Sequence, residues 1–279
     1  MSIGLTGLEG KIAIVTGAGR MRSIGRSIAV TLARAGCDVV LTGTGRSPDR
    51  YPEDERAAGW RDIESVADEI RALGRRALAM VSDVSKPEAV EALLDRVTGE
   101  LGGVDVLVNN AGATRGTDRV PIIDLSVEEW HRVLGTNLHG VFYMSKACAQ
   151  RMVAQGRGGS IVNISSLASR LLAAETGAYA ASKVAVNALS TVMAAELGPH
   201  GIRVNSICPG IIDTSRLDDI GRGEMWATML KAYVPLGRAG TGEDIANAVT
   251  FLCSEQGAWI SGQSLYIDGG HNFTPRRPQ

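Results

Sequence analysis

Short apolar runs alternate along the chain with longer segments in which apolar residues recur every three or four positions. The runs are Lys11–Thr16, Asp38–Thr42, Ala77–Val81, Val104–Val108, Ser160–Ile164, Arg203–Ile207 and Ser264–Ile267. They are short and mostly rich in β-branched residues, so they read as buried strands. Gly25–Ala35 carries Ile28, Ala29, Leu32 and Ala33 at helical spacing, and Ile63–Leu73 places Ile63, Val66, Ala67 and Ile70 on one face. Pro87–Leu101 starts with proline in its first turn. Ser126–Ala154 is predicted as one long helical stretch, opened by a capping box of Ser126 and Glu129. Ala178–Leu197 is stopped by Gly198-Pro199, and Thr241–Cys253 is capped by Thr241 with Asp244 at box spacing.

Apolar strands separated by helices predict an α/β chain, a single doubly wound (Rossmann) domain over residues 1–279. Its seven-stranded sheet should be mostly parallel, with right-handed crossovers and helices on both faces. Two segments break the pattern. Gly45–Gly59 is polar and proline-bearing and predicts a long loop. Gly210–Tyr233 mixes Met225, Trp226, Met229 and Leu230 with polar residues, which predicts a lid, about residues 211–235, over a site at the carboxyl ends of the strands.

Composition narrows the classes. Of 279 residues, 44% are hydrophobic and 21% charged, enough for a large core. A net charge of −1 gives no reason to expect nucleic acid or an anionic membrane as partner, and the only basic run is Pro275–Pro278. Cys37, Cys148, Cys208 and Cys253 are scattered, as reduced core thiols would be. Met1–Gly10 does not read as a signal peptide, and no apolar stretch reaches the roughly 18 residues of a membrane span, so the expected location is cytoplasmic. No metal is expected: His131, His139, His200 and His271 have no ligand spacing.

The candidate chemistry lies in Ser165–Lys183. Ser166 and Tyr179 are 13 residues apart, and Lys183 follows the tyrosine by one helical turn. An ammonium on that face favours the phenolate and lowers a pKa that is about 10 in water. A phenol so tuned can exchange a proton with an alcohol or carbonyl oxygen, and a serine hydroxyl can hold the same oxygen. Alone, Tyr-x-x-x-Lys is a weak motif that a helix start with a solvated lysine would also produce. Thr16–Gly25, with Gly17, Gly19 and Gly25, connects the first strand to the first helix, where a doubly wound fold receives a pyrophosphate on backbone N–H groups.

Together these motifs resemble the short-chain dehydrogenase/reductase family over about residues 7–270. Asp83 ends strand three, Asn109-Asn110-Ala111-Gly112 ends strand four, Asn137 lies in the next helix, and Pro209-Gly210 ends strand six with Thr214 beyond it. The resemblance implies hydride transfer between a nicotinamide and a carbonyl or secondary alcohol. In it Tyr179 is the acid/base, Ser166 holds the substrate oxygen, Lys183 tunes Tyr179 and binds the nicotinamide ribose, and Asn137 anchors a relay water. It also implies that Asp83 and Val84 meet the adenine, that Asn110, Ala111 and Gly112 line the adenosine side, and that Ile212 and Thr214 hold the carboxamide. A homotetramer is implied too. Ser126–Ala154 and Ala178–Leu197 would pair across one two-fold, and Gly262–Phe273 across another.

The glycine loop departs from the family. Ser23, followed by Ile24, stands where the middle glycine is expected, after a lengthened turn that resembles the enoyl-acyl carrier protein reductase branch. The close spacing of Tyr179 and Lys183 argues instead for the main carbonyl/alcohol branch. Strand two ends without an acid to meet a ribose 2′-hydroxyl, while Arg22 and Arg46 could pair a 2′-phosphate, so NADP is favoured over NAD. The alternative leaves both arginines solvated, with Asp49 or Glu53 reaching the ribose. The favoured activity is 3-oxoacyl-acyl-carrier-protein reductase-like. Next come sugar, polyol or cyclic alcohol dehydrogenases, then C=C reduction, and last a non-catalytic regulator or assembly protein. Leu167–Gly177 and the lid are expected to set the substrate.

Overall fold

The computed structural model describes residues 4–271. Phe273 and the basic tail Pro275–Pro278 lie outside the described residues. Seven strands form one sheet: β1 (Ile12–Thr16), β2 (Asp38–Gly43), β3 (Ala77–Val81), β4 (Val106–Asn109), β5 (Gly159–Ile164), β6 (Ile202–Pro209) and β7 (Ser264–Ile267). Their order is β3-β2-β1-β4-β5-β6-β7, and every pairing is parallel. Successive residues of β1 serve opposite faces, as a pleated strand requires. Ala13 and Val15 pack in the layer that holds Ile28, Leu32, Ile70 and Leu252. Ile12 and Ile14 pack in the other layer, with Leu93, Met144 and Met152. Helices α1 (Ile24–Arg34), α3 (Ile63–Ala72) and α9 (Gly242–Cys253) cover the first face, and α4 (Pro87–Leu101), α6 (Gly140–Gln155) and α7 (Gly177–Leu197) the second. The chain turns outward in opposite directions from β1 and β4, which opens a crevice at their carboxyl ends.

Three elements differ from expectation. The long helical stretch is broken: α5 (Val127–Leu134) passes through a π-helical turn, Gly135–His139, before α6. Such a turn often marks a functional position. Gly140, just after it, is required because a β-carbon there would lie 2.7 Å from Val84 Cγ2. The 45–59 segment is not all loop, since it carries α2 (Glu53–Ala57) after a single turn at Pro48–Arg50. Segment 211–235 holds α8 (Glu224–Tyr233) and a small core of its own, in which Trp226, Leu230 and Val234 pack with Ile211, Leu217 and Ile220. No described helix is long and apolar enough to cross a membrane.

Candidate active site

One cavity of about 1120 Å³ runs along the carboxyl ends of the strands and is lined by the glycine loop, Thr42, Asp83, Asn110–Gly112, Asn137, Ser166, Tyr179, Lys183, Pro209–Ile212 and Thr214. Tyr179 sits in the first turn of α7, with Lys183 one turn on. Lys183 is buried, and its Nζ donates to Ile164 O at 2.8 Å and lies 5.8 Å from the Tyr179 ring centre. Burial alone would push the Tyr179 phenol up. Lys183, Arg216, a hydrogen bond with Ser166 and Arg119 outweigh that and bring it below its ordinary value. Burial lowers the Lys183 ammonium, against the pull of Tyr179. Ser166 lies two residues past the end of β5 and caps the turn Leu167–Ser169, its hydroxyl accepting from Ala168 N–H at 3.1 Å.

Asn137 is fully buried in the π-helical turn. Its Oδ1 accepts from Ala113 N–H at 2.8 Å, and its Nδ2 donates to Ser182 Oγ at 3.1 Å. Both ends of the amide are thus engaged in tying β4's exit to α7. Asn109 begins a second buried chain: it donates to Asn163 Oδ1 at 2.8 Å, Asn163 to Ser190 Oγ at 2.8 Å, and Ser206 to Ser190 Oγ at 2.8 Å. These bonds fix α7 against β4, β5 and β6, and with it the height of Tyr179 over the sheet.

The cofactor end is a cradle that side chains would fill. A β-carbon at Gly17, which has φ +67°, would lie 2.8 Å from Ala111 Cα, and one at Gly25 would lie 2.5 Å from Asn110 Nδ2. Asn110 Nδ2 donates to Thr16 O at 2.8 Å and Gly17 O at 3.0 Å, stitching the strand-four turn to the glycine loop. Ser23 caps α1, accepting from Arg26 N–H at 3.2 Å, so serine here replaces glycine as a helix start. Asp83 forms a turn by accepting from Ser85 N–H at 2.9 Å, and Val84 is buried beside it. Pro209 ends β6, Gly210 N–H donates to Ile267 O at 3.0 Å, Ile212 is buried, and Thr214 starts the next turn. The hydroxyl of Thr42 is buried on the cavity wall without a hydrogen-bond partner. A glycine cradle at a helix N-terminus with an unpartnered donor beside it fits a dinucleotide.

The expected arginines are already engaged. Arg22 pairs with Asp54 at 2.8 Å and Asp218 at 2.5 Å, and hydrogen bonding to those two carboxylates raises its pKa further. Arg46 pairs with Glu55 at 3.0 Å and Asp62 at 3.4 Å. The unexpected residues are those that engage them. Glu55, 1% exposed, also accepts from Met21 N–H at 2.8 Å, and Trp60 Nε1 donates to Gly19 O at 2.6 Å. Asp62 is buried at φ +54°, a left-handed conformation rare for aspartate, and forms no cap to α3. Its Oδ1 occupies the space a β-carbon at Gly19 would need and comes within 3.9 Å of one at Gly43. Glycine at position 19 therefore leaves room for an acid delivered from the start of α3 to a place close to the end of β2.

A family profile described as Enoyl-(Acyl carrier protein) reductase matches residues 17–272. The 2-dehydro-3-deoxy-D-gluconate 5-dehydrogenase of Escherichia coli K12 is 35% identical over 265 residues, covering 94% of this chain and 96% of the relative. The chain belongs to the short-chain dehydrogenase/reductase family. Another family member, the 3-oxoacyl-acyl-carrier-protein reductase of Vibrio cholerae, is 38% identical, covering 94% of this chain and 98% of its own. A gluconate 5-dehydrogenase from Burkholderia cenocepacia, crystallised with NADP and tartrate, superposes with a TM-score of 0.81 at 33% identity, covering 94% and 95%. The protein is an NAD(P)-dependent oxidoreductase of the CH–OH/C=O class.

The substrate side departs from the sequence reading. Of Leu167–Gly177 only Thr176 lines the cavity; Leu171 and Leu172 face solvent, and Arg170 lies over the Tyr266 ring at 5.6 Å. The expected lid does contribute, through Ser215, Arg216, Leu217 and Asp219, and the rest of the lining comes from Thr114, Arg115, Arg119, His131 and Arg132.

Proposed function

We propose that the protein oxidises a secondary alcohol, or reduces the matching carbonyl, with Tyr179 as the proton-transferring group. The observation that carries this is the Tyr179 phenol, held below its ordinary pKa beside buried Lys183 and Ser166, in the same cavity as the glycine cradle. When bound, the nicotinamide supplies or accepts the hydride at the substrate carbon. In reduction Ser166 donates a hydrogen bond to the carbonyl oxygen and Tyr179 passes its proton to it; in oxidation Tyr179 takes the proton back. Asn137 holds the π-helical turn whose main chain can carry the relay water. Gly17, Gly19, Ser23, Ile24 and Gly25 offer N–H donors and room to the pyrophosphate, and Asp83 and Val84 meet the adenine. A spectrophotometric assay of cofactor oxidation across ketone, alcohol and enoyl panels tests the reading. Activity on enoyl compounds alone would favour the C=C alternative, which the lengthened loop supports.

On the cofactor's 2′ position the geometry supports a different choice from the arginine pattern. Arg22 and Arg46 favour NADP in the sequence, yet carboxylates already pair both. Asp62, placed over Gly43 and Gly19, is set to accept hydrogen bonds from ribose hydroxyls and to repel a 2′-phosphate. We therefore favour NAD. Asp62→Asn is expected to move the ratio of kcat/KM values for NADPH over NADH up by about tenfold, or about 1.4 kcal/mol. An unmoved ratio, or a wild-type enzyme that strongly prefers NADPH, removes Asp62 from this role.

Segment 211–235 acts as the lid, moving as a unit on its own small core. The assembly is a homotetramer. In support, α6 and α7 expose Phe142, Val153, Val184 and Val192, apolar residues a lone chain gains nothing by presenting. Light scattering should return four times the 29.4 kDa chain mass, and a monomeric mass contradicts the assignment. Among substrates, acyl-carrier thioesters lead on the resemblance alone; the cleft lining moves sugar acids ahead of them.

A further inference from the structure

Three arginines crowd the substrate side of Tyr179. The guanidinium of Arg119 lies 4.4 Å from the Tyr179 ring centre and that of Arg216 lies 5.7 Å away. Arg115 lines the same wall. Their counter-charges are few. Arg115 pairs with Asp219 at 2.8 Å. Arg119 has Asp118 at 3.5 Å, and its Nε is buried with no hydrogen bond. Asp118 is itself shared, accepting from Gly116 N–H at 3.1 Å and facing Arg132 at 3.9 Å. Among the described residues Arg216 has no carboxylate within ion-pair distance. A buried N–H without a partner, as at Arg119 Nε, costs stability, and such costs persist where a ligand supplies the missing partner. Burial lowers the pKa of Arg119; Asp118 and Tyr179 oppose it, and Arg216 and Arg115 add to it.

Bound dinucleotide does not account for all three. Arg216 reaches Gly112, where a β-carbon would lie 3.8 Å from its Nη1, and its charge is felt at Arg20 in the glycine loop, so it can also serve the pyrophosphate end. Arg119 instead stands against the face of the Tyr179 ring, on the wall with Thr114 and Arg115. Its planar fork suits a compact oxyanion bound through two oxygens.

Resting on the hydride-transfer reading above, we propose that the substrate carries an oxyanion close to its reacting carbon, read by Arg119 with help from Arg216. The substrate is thus a hydroxy or oxo acid, or a phosphorylated counterpart, rather than a neutral sugar, a sterol or an acyl thioester. On oxidation the C–H hydride leaves to the nicotinamide, the O–H proton to Tyr179, and the oxyanion is unchanged.

The test uses the full-length enzyme loaded with NADH. Gluconate and tartrate, the uncharged amides of both, and a sugar phosphate are titrated by calorimetry. The acids or the phosphate should bind at least tenfold more tightly than the amides, and whichever binds better names the oxyanion. Arg119→Gln should erase that preference, and Arg119→Lys should restore part of it. The Arg119→Gln protein must retain its melting temperature and NADH affinity; the comparison of acid with amide in the wild type needs no variant. Equal binding of acids and amides, no binding by any of them, or a preference that survives in Arg119→Gln overturns the proposal. The tightest-binding acid is then mixed with enzyme and NAD, the oxidised cofactor that can accept its hydride; tight binding without NADH formation would instead count against the hydride-transfer reading.

Discussion

Tyr179→Phe is expected to lower kcat by about 10²- to 10⁴-fold in both directions, the usual contribution of a positioned acid/base. The ring survives the change, so its contacts with Arg119 and Lys183 persist, and only the titrating oxygen is lost. Cofactor affinity, measured by quenching of protein fluorescence or by calorimetry, should stay within a few fold of wild type. Turnover that also stays within a few fold would mean that another group moves the proton, and Ser166 would be the next to examine.

Lys183→Met is expected to show the second largest loss, about 10²-fold or more in kcat for alcohol oxidation at neutral pH. The sign follows from the charges. Lys183 is the leading group that draws the phenol down against burial. Without it the Tyr179 pKa rises, less phenolate is present at a given pH, and the oxidation profile moves to more alkaline pH. Part of the loss should return at high pH, which distinguishes this variant from Tyr179→Phe. A wild-type pH profile at reduced amplitude would show that Lys183 only places the tyrosine.

The sheet was legible because each strand is a short, mainly apolar segment and the crossover helices repeat their apolar residues every three or four positions. Observed boundaries of β1, β2, β3 and β7 fall within one residue of the pattern. Helix α2 was not legible: five residues, Glu53–Ala57, are too few to show a period, and its buried residue is a glutamate. Nor was the π-helical turn, since Gly135–His139 keeps the apolar spacing of its neighbours. The hydroxyl, phenol and ammonium of the site were legible because they lie close in sequence on one strand end and one helix turn. Asp62, Glu55 and Trp60 escaped because their partners, Gly19, Met21 and Arg46, are up to 41 residues away in sequence. Arg119 and Arg216 escaped for a similar reason: neither lies in a motif, and only folding sets both beside Tyr179.

The bonds from Glu55 to Met21 N–H and from Trp60 to Gly19 O carry a consequence for how quickly the enzyme can be loaded. A turn that must order itself as its ligand arrives opposes binding by the cost of that ordering. Here the 45–62 stretch grips the lengthened turn from outside, and Ser23 fixes where α1 begins. The donors for the pyrophosphate are aimed in advance, so the dinucleotide meets a mould already set. Capture then requires little rearrangement of this turn, and a weakened grip from Trp60 or Glu55 would appear as slower association rather than altered proton transfer.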